Sequence, residues 1–179
     1  MRVVNSTFIS LDGVINKMEA WHFDYISDET SEITLDQLKA ADAMLMGRTT
    51  YEIYAGAWPN RDGDYPELIN AVPKYVASTT LKDPEWNNTT VIDGDVVEFV
   101  RKLREAPGGD ILMHGFGPVA GELMKNGLLD VLHLWVHPKL AGVGESGDLL
   151  LRQGVNNALT LTGNRALSNG IVMLSYEAA

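Results

Sequence analysis

The feature that most constrains this chain is a change of rhythm in its apolar residues near residue 130. Before that point, runs of strand length alternate with segments whose apolar residues recur at helical spacing. After it, strand-like runs follow one another with little helix between them. The pattern predicts strands over residues 2 to 10, 43 to 46, 74 to 77, 89 to 92 and 110 to 113. Helices are expected from Asp28 to just before Ala43, from Gly47, across Val96 to Leu103, and from Pro118 to Asn126, where Gly127 stops the last one. A stretch rich in Gly, Trp, Pro, Asn and Asp over residues 56 to 66 reads as a loop. Val131 to Val136, Ala158 to Ala166 and Ile171 to Glu177 read as the last strands, and Ser168-Asn169-Gly170 joins the final two as a hairpin. Alternation of this kind places helices on both faces of a mostly parallel sheet, because each crossover must pack back against it. The expected architecture is therefore α/β, a three-layer αβα arrangement over residues 1–179 as one domain, with antiparallel C-terminal strands at one edge.

Charge narrows the ligands. Lys and Arg number 14 against 24 for Asp and Glu, a formal net charge of −10. Nucleic acid is an unfavourable partner for such a surface, since binding requires cations that displace counterions from phosphates. A small phosphorylated ligand would need a local device, such as a helix N-terminus or one well-placed Arg. The chain has no Cys, which removes thiol catalysis, disulfides and Cys-ligated zinc. No apolar run approaches the roughly 20 residues that span a bilayer, and the start, Met1-Arg2-Val3-Val4, enters a strand directly. A cytoplasmic protein with no membrane partner is expected.

Ligands of such sheets bind beyond the carboxyl ends of the strands, so residues 11–27, 47–50, 78–80 and 114–118 are where chemistry is expected. Ile111 to Ala120 contains a strand, the turn Gly115-Phe116-Gly117-Pro118-Val119-Ala120 and a helix start. Glycines let a phosphate approach the backbone, and the free N–H groups of the helix N-terminus supply donors. A Rossmann site would carry this motif at the first strand; here it comes after residue 110, so only the phosphate-binding physics is retained. Met46-Gly47-Arg48-Thr49-Thr50 repeats the arrangement, with Arg48 as a fork of donors and the threonines as caps or ligands. Two such turns suggest one ligand with two phosphate groups.

The histidines invite a metal reading, which the spacing disfavours. His133 and His137 share one face of a strand but stand about 13 Å apart at roughly 3.3 Å per residue, so no metal site is expected. Trp58-Pro59 is either a lid or loop packing. A proton donor is harder to place: Asp12, Asp24, Asp28, Glu29 and Glu32 lie in or near the first long loop, and one of them, if buried, would have a raised pKa.

Taken in order, the segments Ser10-Leu11-Asp12-Gly13-Val14-Ile15, Leu45-Met46-Gly47-Arg48-Thr49-Thr50-Tyr51-Glu52, Trp58-Pro59, Lys74-Tyr75-Val76-Ala77-Ser78, His114-Gly115-Phe116-Gly117, Gly127-Leu128-Leu129-Asp130 and Val136-His137-Pro138 form a set spread over nearly the whole chain. That set resembles the dihydrofolate reductase-like family, including the C-terminal reductase domain of the bifunctional riboflavin-pathway deaminase/reductase. The resemblance implies NADPH bound across the carboxyl edge of the sheet. Gly47, Arg48, Thr49 and Thr50 would cradle phosphate, Ser78, Thr79 and Thr80 would meet the adenosine 2′-phosphate, and Gly115, Phe116, Gly117, Pro118 and Val119 would hold the nicotinamide-side phosphate. Asp12, Trp21, His22 and His114 would line the substrate side. The family usually has a basic residue where this chain has Thr79, and the riboflavin-pathway reductase has a substrate-binding Glu where it has His114. The implied function is hydride transfer from NADPH to a planar nitrogen heterocycle, pterin-like or like 5-amino-6-(5-phosphoribosylamino)uracil, with the proton taken from an ordered water. The alternatives are a catalytically silent dinucleotide-binding protein and a reductase of nitro or carbonyl compounds. A homodimer in which the Leu132 to Val136 strand pairs or packs across a twofold axis is also expected.

Overall fold

The computed structural model describes residues 1–179. Its strands are β1 (Val3–Ile9), β2 (Ala41–Gly47), β3 (Lys74–Ala77), β4 (Thr89–Val91), β5 (Asp110–His114), β6 (Val131–Val136), β7 (Leu159–Ala166) and β8 (Val172–Ala178). Its helices are α1 (Asp28–Lys39), α2 (Arg48–Ala57), α3 (Asp64–Ala71), α4 (Val96–Glu105) and α5 (Pro118–Lys125). All eight strands form one sheet in the order β4-β3-β2-β5-β1-β6-β8-β7. The first six run parallel, whereas β8 pairs antiparallel with both β6 and β7.

The layers follow from the two-residue period of the strands. Val3, Ala43, Leu45, Ile111 and Met113 point to one face and pack with Val100 of α4 and with Ala120, Leu123 and Met124 of α5. Val4, Met44, Met46 and Leu112 point to the other and pack with Leu38 of α1, Tyr51 of α2 and Ile69 of α3. Each of the larger aliphatic side chains contributes about 1.5–3 kcal/mol by leaving water. The central strands are apolar on both faces for this reason. No helix is long and apolar enough to cross a membrane.

Helix starts divide into two kinds. Ser27 caps α1, its hydroxyl accepting from the Thr30 N–H while the Thr30 hydroxyl accepts from the Ser27 N–H. Asp95 caps α4 by accepting from the Val97 and Glu98 N–H groups. By contrast, α2 begins after Gly47 and α5 after Gly117 with no side-chain cap, which leaves first-turn N–H groups without an intrahelical partner.

Two expectations change. The loop read over residues 56 to 66 is shorter: α2 runs through Ala57, and α3, which the pattern did not suggest, starts at Asp64. Pro66 lies in the first turn of α3, where no backbone donor is needed, so the loop-like composition hides a helix start. Trp58 then ends α2 and packs against Tyr65, with ring centroids 4.9 Å apart; its role is packing between α2 and α3. The second change concerns Leu132 to Val136. They lie in an interior strand with both edges paired, so of the two expected modes only edge pairing through this strand is removed; the free edge there belongs to β7.

Candidate functional site

Three of the expected ligand segments arrive side by side at the carboxyl edge. Strands β3, β2 and β5 are neighbours, so Ser78 to Thr80, Gly47 to Thr50 and Gly115 to Val119 follow one another across the sheet. Contacts join them. Arg48 donates from Nη1 to the Thr80 hydroxyl at 2.5 Å and from Nε to Glu52 at 2.7 Å. A Cβ placed on Gly47 would stand 3.6 Å from a Val119 methyl, so the turns into α2 and α5 are in near contact. Arg48, Thr49, Thr79 and Thr80 are exposed, whereas Thr50 is half-buried. The Ser78 hydroxyl accepts from the N–H groups of Thr80 and Leu81 and shapes the third turn. Phe116 is buried in the α4–α5 core, so this residue can offer a ligand only its backbone. The edge thus presents two uncapped helix N-termini and one guanidinium within a chain of net charge −10, a local device for an anion.

His114 ends β5 at the middle of this edge. Its Nδ1 lies 2.8 Å from the Tyr54 hydroxyl of α2, and burial pushes its pKa down to about 4, so the ring is neutral near pH 7. Burial also pushes the Tyr54 phenol well above its usual range. On the opposite face of the sheet, Asn5 donates from Nδ2 to the Gly115 carbonyl at 2.9 Å, and the Thr7 hydroxyl donates to Asn5 Oδ1 at 2.7 Å. Both side chains are buried. Gly115 has φ +75°, a conformation that favours glycine, and Asn5 fixes the peptide that follows. Tyr54, Asn5 and Thr7 escaped the sequence reading, since nothing local marks a tyrosine in a helix or polar residues in a first strand as neighbours of residue 114.

Asp12, Trp21 and His22 gather elsewhere, above the ends of β1 and β6. The Asp12 carboxylate accepts from the Ser10 hydroxyl at 2.5 Å and from the backbone N–H groups of Ala141 and Gly142, each at 2.9 Å. The Ser10 bond, followed by the two backbone bonds, lowers its pKa to about 2. Asp12 therefore ties the loop after β6 to the end of β1. Trp21 is buried and its indole N–H donates to the Asn16 carbonyl. His22 Nδ1 lies 3.0 Å from His137 Nε2, and His137 Nδ1 lies 2.9 Å from the Trp135 carbonyl. A carbonyl only accepts, so His137 Nδ1 carries a proton and His22 Nδ1 donates to His137 Nε2. Phe8 stacks on His22 at 4.3 Å, and Trp21 meets His137 edge-on at 4.9 Å. His133 pairs instead with the Ser175 hydroxyl.

None of the five candidate acids is a buried carboxylate. Asp12, Asp24, Asp28 and Glu32 are exposed. Glu29 is half-buried and accepts from Arg165 and from the Ser168 backbone and hydroxyl; the Ser168 N–H is the main cause of its lowered pKa.

Comparison with known proteins places this geometry in context. A family model described as the RibD C-terminal domain matches residues 2–173. The uncharacterised Bacillus subtilis (strain 168) protein YyaP is 28% identical over 181 residues, spanning 98% of this chain and 94% of its own. Among solved structures, a candidate riboflavin biosynthesis protein of Shewanella sp. PV-4 superposes with a TM-score of 0.77 at 18% identity, over 100% of this chain and 99% of that one. Dihydrofolate reductase of Enterococcus faecalis, complexed with NADP(H), superposes with a TM-score of 0.63 at 16% identity, over 99% and 96% of the two chains. At these identities the structural likenesses establish the fold.

Proposed function

The chain belongs to the RibD C-terminal domain family, and on that premise we propose that it is an NADPH-dependent reductase of a planar nitrogen heterocycle. The observation that carries this reading is the contact chain along the carboxyl edge: Thr80 to Arg48 by a hydrogen bond, and Gly47 to Val119 by near contact. It makes one continuous strip of three turns that fit different parts of a dinucleotide. The residues suit the group chemically, because the turns at Gly47 and Gly117 leave backbone donors uncapped beside Arg48. Gly47, Arg48, Thr49 and Thr50 would take one phosphate and the Gly115 to Val119 turn the other. Ser78, Thr79 and Thr80 would meet the adenosine side. NADPH, when bound, supplies the hydride. The chain's part is to orient and enclose: Asn5 and Thr7 hold the Gly115 peptide in place, and His114 with Tyr54 borders the reacting end. No buried acid stands ready to protonate the product, which supports a proton drawn from solvent.

The test is a fluorescence titration with NADPH and NADH in parallel, followed by Trp quenching and nicotinamide emission. NADPH is expected to bind tighter than NADH through the threonines at 79 and 80 on the adenosine side. Failure of both to bind refutes the dinucleotide site. The absence of a buried carboxylate among the five candidates also favours a second reading, a binding protein without turnover. NADPH that binds but is never oxidised in the presence of pterins, pyrimidines or quinones would select it.

A further inference from the structure

His114 carries a polar atom for which the fold supplies no partner. Its Nδ1 faces Tyr54, while its Nε2 makes no hydrogen bond within the chain and is not sealed from solvent. The identity of the Nδ1 partner decides what Nε2 can do. A phenol is a stronger acid than a neutral imidazole N–H, and an imidazole nitrogen is a stronger base than a phenol oxygen, so the Tyr54 hydroxyl donates to Nδ1. The reverse arrangement would leave the phenol proton in need of a second acceptor, and the Tyr54 hydroxyl makes no other hydrogen bond. The phenol is also held in position. Its ring meets Trp58 edge-on at 6.2 Å and Trp86 at 6.4 Å, so the hydroxyl stays on His114. With Nδ1 accepting, the proton of the neutral ring sits on Nε2.

We propose that Tyr54 locks His114 in the Nε2–H tautomer, and that this donor, beside the Gly115 turn, selects substrates that place a ring carbonyl against it. The inference rests on the reductase reading and names the substrate face of that same site. His114 is the last residue of β5, between β2 with its uncapped turn and β1, and it directly precedes the glycine turn assigned to the cofactor. A ligand held by that turn would lie next to the imidazole, because Gly115 follows His114 directly. A fixed neutral donor discriminates because a heterocycle with an amino group there would oppose donor to donor, leaving both unpaired.

The experiment uses a matched pair of probes, 2,4-dioxopteridine and 2,4-diaminopteridine, titrated into the protein near neutral pH with and without saturating NADPH. Long-range proton–nitrogen NMR reads the state of His114 in the same samples. The expected result is a ring protonated on Nε2 only, with the dioxo compound bound about tenfold or more tighter than the diamino compound and shifting the Nε2 resonance. His114→Gln, which keeps a neutral donor, is expected to retain the preference, and His114→Glu, an acceptor, to reverse it. Tyr54→Phe is expected to release the tautomer and shrink the preference toward equality. A ring protonated on Nδ1, or a diamino compound bound as tightly as the dioxo compound, overturns the proposal. So does an Nε2 resonance that neither probe moves. Loss of NADPH binding by the unaltered protein would instead refute the reductase reading, and the measurements made without cofactor would still decide the tautomer.

Discussion

The two ends of the carboxyl edge are built on opposite rules. From β3 to β5 the edge is open: α2 and α5 start on glycine without caps, and Arg48 and Thr80 are exposed. From β1 to β7 the polar groups of the loops are tied to one another. Asp12 is bonded to Ala141 and Gly142, His22 to His137, Glu29 to Arg165 and Ser168, and Asn169 to the Tyr25 carbonyl. The lesson concerns where donors are left over. A site for an anion needs backbone donors without internal partners, and the open end keeps them, whereas the closed end consumes its side chains in holding loops.

This contrast breaks most sharply if stability and binding are separated by mutation. Trp135 is fully buried, with its indole N–H on the Ser6 hydroxyl and Leu167 and Ile171 packed against it. Trp135→Ala should cost about 3–5 kcal/mol of stability through the cavity it leaves, measured by urea unfolding. Arg48→Ala addresses the other end. Arg48 is exposed and its pair with Glu52 is a surface i,i+4 contact, so stability should stay within about 0.5 kcal/mol. Loss of a charge-assisted bond to phosphate should weaken NADPH binding roughly ten- to hundredfold, read by the same fluorescence titration. If Arg48→Ala leaves NADPH affinity unchanged, the open end is not the cofactor site.

The open end was legible in the sequence because its signals are local. Gly47-Arg48-Thr49-Thr50 and Gly115-Phe116-Gly117 carry their physical meaning within four residues: a close backbone approach, then a helix start. The parallel sheet and the terminal hairpin were legible for a related reason, since strand and helix periods and the Ser168-Asn169-Gly170 turn are short-range patterns. What was not legible depends on distance along the chain. Tyr54 reaches His114 across 60 positions and Asn5 reaches Gly115 across 110. Asp12 could be named from its motif, yet its partners at Ala141 and Gly142 come from a loop about which the pattern was silent. A helix with Pro66 in its first turn was invisible for a different reason: the composition of a helix start and that of a loop coincide there.

Acid titration sharpens the comparison, with a smaller effect. Burial holds His22 down to about 4 and His114 down to about 4, against an ordinary value of 6.5 for each. Between those values an unfolded chain takes up protons that the folded one refuses, so acid favours unfolding. The histidine contribution is complete above about pH 6.5 and is lost as pH falls toward 4. Asp12 acts in a lower window, because its carboxylate is held ionised to about 2 against 3.8; its contribution is present above 3.8 and lost as pH falls through 2. His22→Gln keeps an amide beside His137 and removes one titration, so urea unfolding between pH 7 and 4 should show a shallower decline than the unaltered protein. Asp12→Asn should leave that window unchanged and flatten the decline only below it. A His22→Gln variant with an unaltered slope between pH 7 and 4 would mean that the His22–His137 pair opens to water in solution, and that the β1-to-β7 end of the sheet is as accessible as the open one.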